Sequence, residues 1–313
     1  MNRVFELAFV ALVMTPSLAR AALCSKWAPA VEVGKLDPKK IDESSGLAVS
    51  RRFDVLYHNN DSGTGPQFWI TSRDGSGARA VKIKDYVPKD PEEIAVGPCP
   101  GSAKKTCIAL GDIGDNRGAR KNVGVFFVEE LEKFTNEVTP VGIVRFRYPD
   151  GARDAEAFGI MPNGDLVVVT KEGSLLKPTK PARIYRARAS DLARATAGEE
   201  ITLMHVGTID VPAIVKDKGV GGLVTAMSIA GDGSRFVLLT YDKAVEVEID
   251  LSTEKWVGVA SEAARVVDIA RLQGQESVSY DRNEKDILYS TEQVPRIFGK
   301  DHAVPLMKAS CLQ

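Results

Sequence analysis

From residue 22 onward the chain reads as short apolar runs broken by polar turns: VLYHNNDSG, CIALGDIGDN, DLVVVTKEG, RFVLLTYD and DILYSTE. Alternating Val, Ile, Leu and Tyr, punctuated by Gly, Asn and Asp about every 8–12 positions, predict short strands in an all-β fold. A related segment precedes each run: ESSGLAVSRRFD, PEEIAVGP, DAEAFGIMPNGD, VTAMSIAGDGS and QESVSYDRNEKD. Each consists of a polar residue, a strand of small and apolar residues, and a turn. Aligned, they put Ser45, Glu92, Glu156, Thr225 and Glu276 in one column, at intervals of 47, 64, 69 and 51 residues. Four strands with their turns need about 45–50 residues, the length of a propeller blade. The two longer intervals carry insertions, SLLKPTKPAR and DVPAIVKDKGVGG. Five copies predict a five-bladed β-propeller occupying residues 22–313 as a single domain.

The two ends of the chain complete the count. After Glu276 only 37 residues remain, enough for three strands, while KWAPAVEVGKL at residues 26–36 is one unclaimed strand. Placing it at the outer edge of the last blade closes the ring and removes an exposed sheet edge. That arrangement brings Cys24 beside Cys311. Cys99 and Cys107 flank the turn PGSAKK, so the expected disulfides are Cys24–Cys311 and Cys99–Cys107. With only three histidines, and cysteine spacing that fits no zinc motif, a zinc site is disfavoured.

Disulfides imply an oxidising compartment, and the N-terminus supplies a route to one. Arg3, an apolar stretch from Val4 to Met14 interrupted by Glu6, and Ala19-Arg20-Ala21 form a signal peptide, residues 1–21. Leu23 is too large for the residue that precedes a lipoprotein cysteine. The apolar stretch is shorter than the ~20 residues of a membrane helix. The expectation is an exported protein, periplasmic or secreted, with no membrane span after signal removal. Its 41 basic and 42 acidic residues are dispersed, which argues against nucleic acid as a partner.

In a propeller the innermost strands line a central channel, so the column residues gather at one mouth. Three carboxylates and two hydroxyls confined there repel one another unless a cation sits among them. Oxygen donors of this kind suit Ca²⁺. The expected metal ligands are therefore Ser45, Glu92, Glu156, Thr225 and Glu276. The loops after the second strands return to the same mouth, giving a candidate ligand face of Asn60, Asp61, Asp112, Asp115, Asn116, Arg117, Lys171, Glu172, Tyr241 and Glu292. Arg117, Arg120 and Lys171 are candidates to hold a small anionic ligand, with a partner protein as the other occupant. GDIGDNRG precedes no helix and is no nucleotide fingerprint. His205, in an expected outer strand, and His302, near the C-terminus, form no nucleophile pair with a cysteine.

The column resembles two groups of five-bladed propellers, the calcium-activated nucleotidase (apyrase) family and the bacterial periplasmic SdiA-regulated family. There the inner strands begin with Ser, Glu, Glu, Ser and Glu around calcium; here Thr225 replaces the fourth. ESSGLAVS is similar to the ELSGL-type opening of the first repeat. HNNDSG, GDIGDNR, DAEAF and GQES resemble uncharacterised secreted bacterial propellers. The resemblance implies calcium at the five positions and transfers no activity, because Lys171-Glu172 stands where apyrase loops carry a basic pair. Two functions follow as expectations. One is a calcium-binding propeller whose polar face takes a ligand or partner. The other is a calcium-dependent hydrolase of phosphate esters or anhydrides, with Asp61, Asp115 or Glu172 as base.

Overall fold

The computed structural model describes residues 23–174, 176–248, 263–292 and 304–312. The expected signal peptide and His302 lie outside the described residues. Five sheets, each built on four antiparallel strands, follow one another along the chain and form the five blades. Their inner strands are Ser44–Val49, Pro91–Cys99, Ala155–Ile160, Val224–Ile229 and Gln275–Tyr280, each packed against the next, with the fifth against the first.

Residue size explains how five strands converge on one axis. A Cβ on Gly97 would lie 2.5 Å from Ile160 of the neighbouring blade, and one on Gly159 would lie 2.7 Å from Ile229. Both glycines lie on inner strands, where a neighbour's isoleucine fills the space. Four of the five second strands (LYHNN, LVVVT, RFVLLT and DILYST) are buried along their whole length, and the fifth, Ser102–Asp112, is buried over its last six residues. Both faces of each blade pack against neighbours, so these strands read as near-continuous apolar runs. Outer strands such as Gly142–Arg147 (GIVRFR) alternate between buried and exposed positions, as an edge half in water requires.

The ring closes as the sequence predicts. Val31–Leu36 pairs antiparallel with Val304–Ser310 as the outer strand of blade 5, in the register Val31↔Lys308 to Leu36↔Val304. Cys24–Cys311 and Cys99–Cys107 are both disulfides, with Cα separations of 5.9 and 4.9 Å. The Cys24 amide also donates to Glu246 Oε2 of blade 4 at 2.7 Å. Arg235 Nε and Tyr280 Oη donate to Glu246 Oε1 at 3.0 and 2.9 Å, so this buried carboxylate ties the start of the ring to blades 4 and 5. Two stitches were not foreseen. Glu137–Val138 adds in parallel to Arg79–Ile83 of blade 1, and Glu200–Thr202 adds to Gly142–Arg147 of blade 2.

A candidate cation site at the channel mouth

All five column residues are β-bulges. The register between first and second strands skips one residue in every blade: Ser45, Glu92, Glu156, Thr225 and Glu276. A bulge leaves one residue unpaired and re-aims its side chain. Repeated five times around an axis, it creates a ring of side chains that ordinary pleating would send alternately to the two blade faces. All five are buried.

A second ring comes from the loops that follow the second strands. The main-chain amides of Asp61, Gly114, Lys171 and Glu292 donate to the carbonyls of Glu43, Asp90, Asp154 and Gly274, each two residues ahead of a bulge. In blade 4 Tyr241 follows Thr240, the partner of Val224, and takes the matching place. Asp61, Gly114, Lys171, Tyr241 and Glu292 thus stand beside the five bulged residues.

The two rings sort into two halves. On one side carboxylate oxygens of Asp61, Asp90 and Glu92 all lie within 4.8 Å of one another. Gly114 makes this possible: a methyl group there would lie 2.7 Å from Asp90 Oδ2 and closer still to Glu92 Oε1. Ser45 Oγ donates to the Glu92 carbonyl at 2.6 Å and is 3.3 Å from Glu92 Oε2. Burial, reinforced by Glu156, Asp61 and Asp90, pushes the Glu92 carboxyl well above its ordinary value. Asp90 is raised to about 6 by burial and then by the charges of Asp61 and Asp154. Asp61 and Asp154 are raised too, chiefly by burial.

On the other side the Lys171 ammonium pairs with Glu156 Oε1 and lies 3.2 Å from Tyr241 Oη, which donates to Glu276 Oε1 at 2.5 Å. Burial works against the Lys171 charge, but Glu156, Tyr241 and Glu276 outweigh it and hold the ammonium well above its ordinary pKa. The Glu292 carboxyl is raised to about 10 by burial, then by the charge of Glu276 and the hydrogen bond they share. Glu156 Oε2 is buried without a hydrogen-bond partner. Thr225 Oγ1 donates to the Gln275 carbonyl at 3.0 Å, joining blades 4 and 5.

The floor of the site is Glu93, fully buried on the channel side of blade 2. Its carboxylate accepts from the Met227 amide of blade 4 at 2.8 Å and the Ile94 amide at 3.0 Å, with a further bond from Leu47 of blade 1. The matching positions in the other blades are Gly46, Ala157, Ala226 and Ser277, so one long side chain spans the axis among four small ones. Beyond it a cavity of about 30 Å³ lies between inner strands, lined by Leu47, Ile94, Ile160, Met227 and Ile229 with Arg51 at its rim.

Other members of the expected ligand face are engaged elsewhere. Asp115 accepts the amides of Ala119 and Arg120 on its two oxygens, capping its own loop. Asp112 accepts the amides of Lys89 and Asp90 and pairs with Arg120 at 2.9 Å. Arg120 also donates to the carbonyls of Gly114 and Asp112, so its guanidinium is a brace for the loop. Glu172 accepts from Thr170 Oγ1 at 3.1 Å and faces Arg153 and Arg183 at 3.8 and 3.6 Å. Asn60 Nδ2 donates to the Lys40 carbonyl and Asp42, leaving Oδ1 buried and unpartnered. Asn116 and Arg117 are exposed. His58 is neutral, its pKa lowered to about 3 by burial, and its Nε2 meets Thr71 Oγ1 at 3.0 Å.

The residues present fit a hard divalent cation on the Asp61, Asp90 and Glu92 side. The donors are carboxylate oxygens, burial and then neighbouring carboxylates raise their proton affinity, and a glycine leaves them room. Asp61 and Glu92 are among the residues expected from the sequence, whereas Asp90, Asp154 and Glu43 are not. Their signal was in the repeats, since a carboxylate stands two residues before the bulge in three of the five.

No family model and no curated protein matches the sequence. Among solved structures the chain is similar to Kuenenia stuttgartiensis hydrazine synthase, at 13% identity and a TM-score of 0.41, covering 87% of this chain and 64% of that one. It thus spans less than two thirds of that protein's chain. It is also similar to U3-55K, at 8% identity, a TM-score of 0.43, and 89% and 98% coverage. A nidogen/laminin complex matches at 11% identity and 0.41, with 79% and 72% coverage. No function transfers at these identities.

Proposed function

We propose that this is an exported propeller that binds Ca²⁺ at one mouth of its channel and presents the polar face around that ion to a small ligand or partner protein. The observation that carries the reading is the convergence of Asp61, Asp90 and Glu92 oxygens within 4.8 Å, beside a glycine that makes room for them. Two disulfides suit an oxidising compartment, and no helix among the described residues is long and apolar enough to cross a membrane. Asp61, Asp90 and Glu92 would hold the ion at ~2.3–2.6 Å, with Ser45 beside them, while Glu156 and Glu276 are engaged by Lys171 and Tyr241 and Thr225 by the Gln275 carbonyl.

The mouth favours cations. Arg120 is braced within its loop and Lys171 is paired, so an anionic ligand would have to engage the exposed Arg117 or the ion itself. Of the three candidate bases for a hydrolase, Asp115 and Glu172 are engaged elsewhere, and only Asp61 belongs to the trio, where it would be a ligand of the ion.

The test is a thermal melt after exhaustive chelation, repeated with calcium. A ligand that binds only the folded ring raises the midpoint by mass action, and Asp90→Asn with Glu92→Gln should abolish the rise. An unchanged midpoint with no ion bound in calorimetry would end the calcium reading. Phosphate esters and nucleotides assayed with and without calcium separate the binding module from the hydrolase.

A further inference from the structure

We infer that Lys171 is a tethered cation filling one half of the channel mouth, and that removing its charge opens a second divalent-cation site on Glu156 and Glu276. The inference rests on the mouth being a cation site and adds how its charge is divided.

The two halves have the same kind of donors but different partners. Around Asp61, Asp90 and Glu92 the carboxylates face one another. Around Glu156 and Glu276 an amine from the chain itself is in place. Lys171 pairs with Glu156 Oε1, reaches Tyr241 Oη at 3.2 Å and lies over the Tyr241 ring, 5.2 Å from its centroid. Tyr241 passes the contact on to Glu276. One ammonium therefore gathers glutamates from blades 3 and 5.

The half-site still has spare capacity. Glu156 is 4% exposed, and its Oε2 is buried without a partner. A monovalent, three-donor ammonium leaves that oxygen unused. A divalent ion in its place would engage both glutamates and supply the charge that Lys171 supplies only in part. Lys171 begins the loop after Leu166–Thr170, so its backbone is fixed by that strand and its amide is held by the Asp154 carbonyl at 3.0 Å. The cation is delivered by the fold.

Calcium titration calorimetry and melts of the full exported chain test this with K171M, K171R and the double variant E156Q/K171M. The wild type and K171R should take one ion and K171M two. Chelated K171M should melt below the chelated wild type, and calcium should restore it. The double variant, lacking both the charge and its partner, should return to one ion. K171M that takes no more ions than the wild type, K171M that calcium fails to stabilise, or a double variant that takes as many ions as K171M would each overturn the inference. A wild type that binds nothing beside a K171M that binds one ion would sink the calcium reading above and leave this one standing.

Discussion

Gly114 decides what its neighbours can be. The hydrogen on its α-carbon faces two carboxylates that a methyl group would meet at 2.7 Å or less. Gly114→Ala should therefore weaken calcium binding about tenfold or more while the blades still fold, which calorimetry and circular dichroism can separate. Raised carboxyls on both sides of the mouth set a pH dependence. Asp90 is raised from its ordinary 3.8 to about 6 and Glu292 from 4.5 to about 10. Between the ordinary and raised values the folded chain holds protons that the unfolded chain has released. The stability this lends is complete below about pH 4 and is lost as pH rises through the raised values. Chelated protein should thus melt higher at pH 5 than at pH 8, and saturating calcium should shrink the difference; a chelated midpoint that climbs with pH would contradict it. At this scale the bulged column was legible because each member opens a repeat. Glu93 was not, since its partners Met227 and Leu47 come from other blades and nothing in the local pattern predicts that contact.

At the scale of elements, the inner strand with its bulge is the unit the chain repeats, and hydroxyls at the bulge join one blade to the next. Thr225 donates to the carbonyl of Gln275, as Ser45 does to that of Glu92. Thr225→Val keeps the shape and strands a buried carbonyl, so it should cost about 1–3 kcal/mol in denaturant unfolding. Thr225→Ser should cost less. Strand order was readable from apolar runs and turns, and the insertion at residues 210–222 was visible as an interruption. It folds into the short helix Val211–Val215, capped by Asp210 through the Ala213 amide. The parallel stitches Glu137–Val138 and Glu200–Thr202 were not readable. They are two and three residues long, largely polar, and are strands only because another blade's edge lies beside them.

For the whole molecule, closure depends on bringing the start of the chain to its end. Cys24–Cys311 spans 287 residues, against 8 for Cys99–Cys107. A cross-link stabilises more as the loop it closes grows. C24A/C311A should lose about 2–5 kcal/mol in chemical denaturation, and more than C99A/C107A loses. Equal losses would mean that Val31–Leu36 and the Glu246 bond to Cys24 already hold the ring shut. Closure was legible from the sequence through a strand count, one unclaimed segment and a cysteine at each end, all pointing to one arrangement.

That clasp also changes how the molecule would bear a load. A pull on the two ends runs from Cys24 across the sulfur bridge to Cys311, and the blades between them carry none of it. Once the bridge is reduced, the force falls on Val31–Leu36 and Val304–Ser310, whose register puts Val31 opposite Lys308. The free ends of the two strands then lie side by side. Tension parts their hydrogen bonds one after another, like a zip, instead of loading them together in shear. An intact clasp makes the propeller inextensible from its ends, and a reduced one lets it peel open from blade 5.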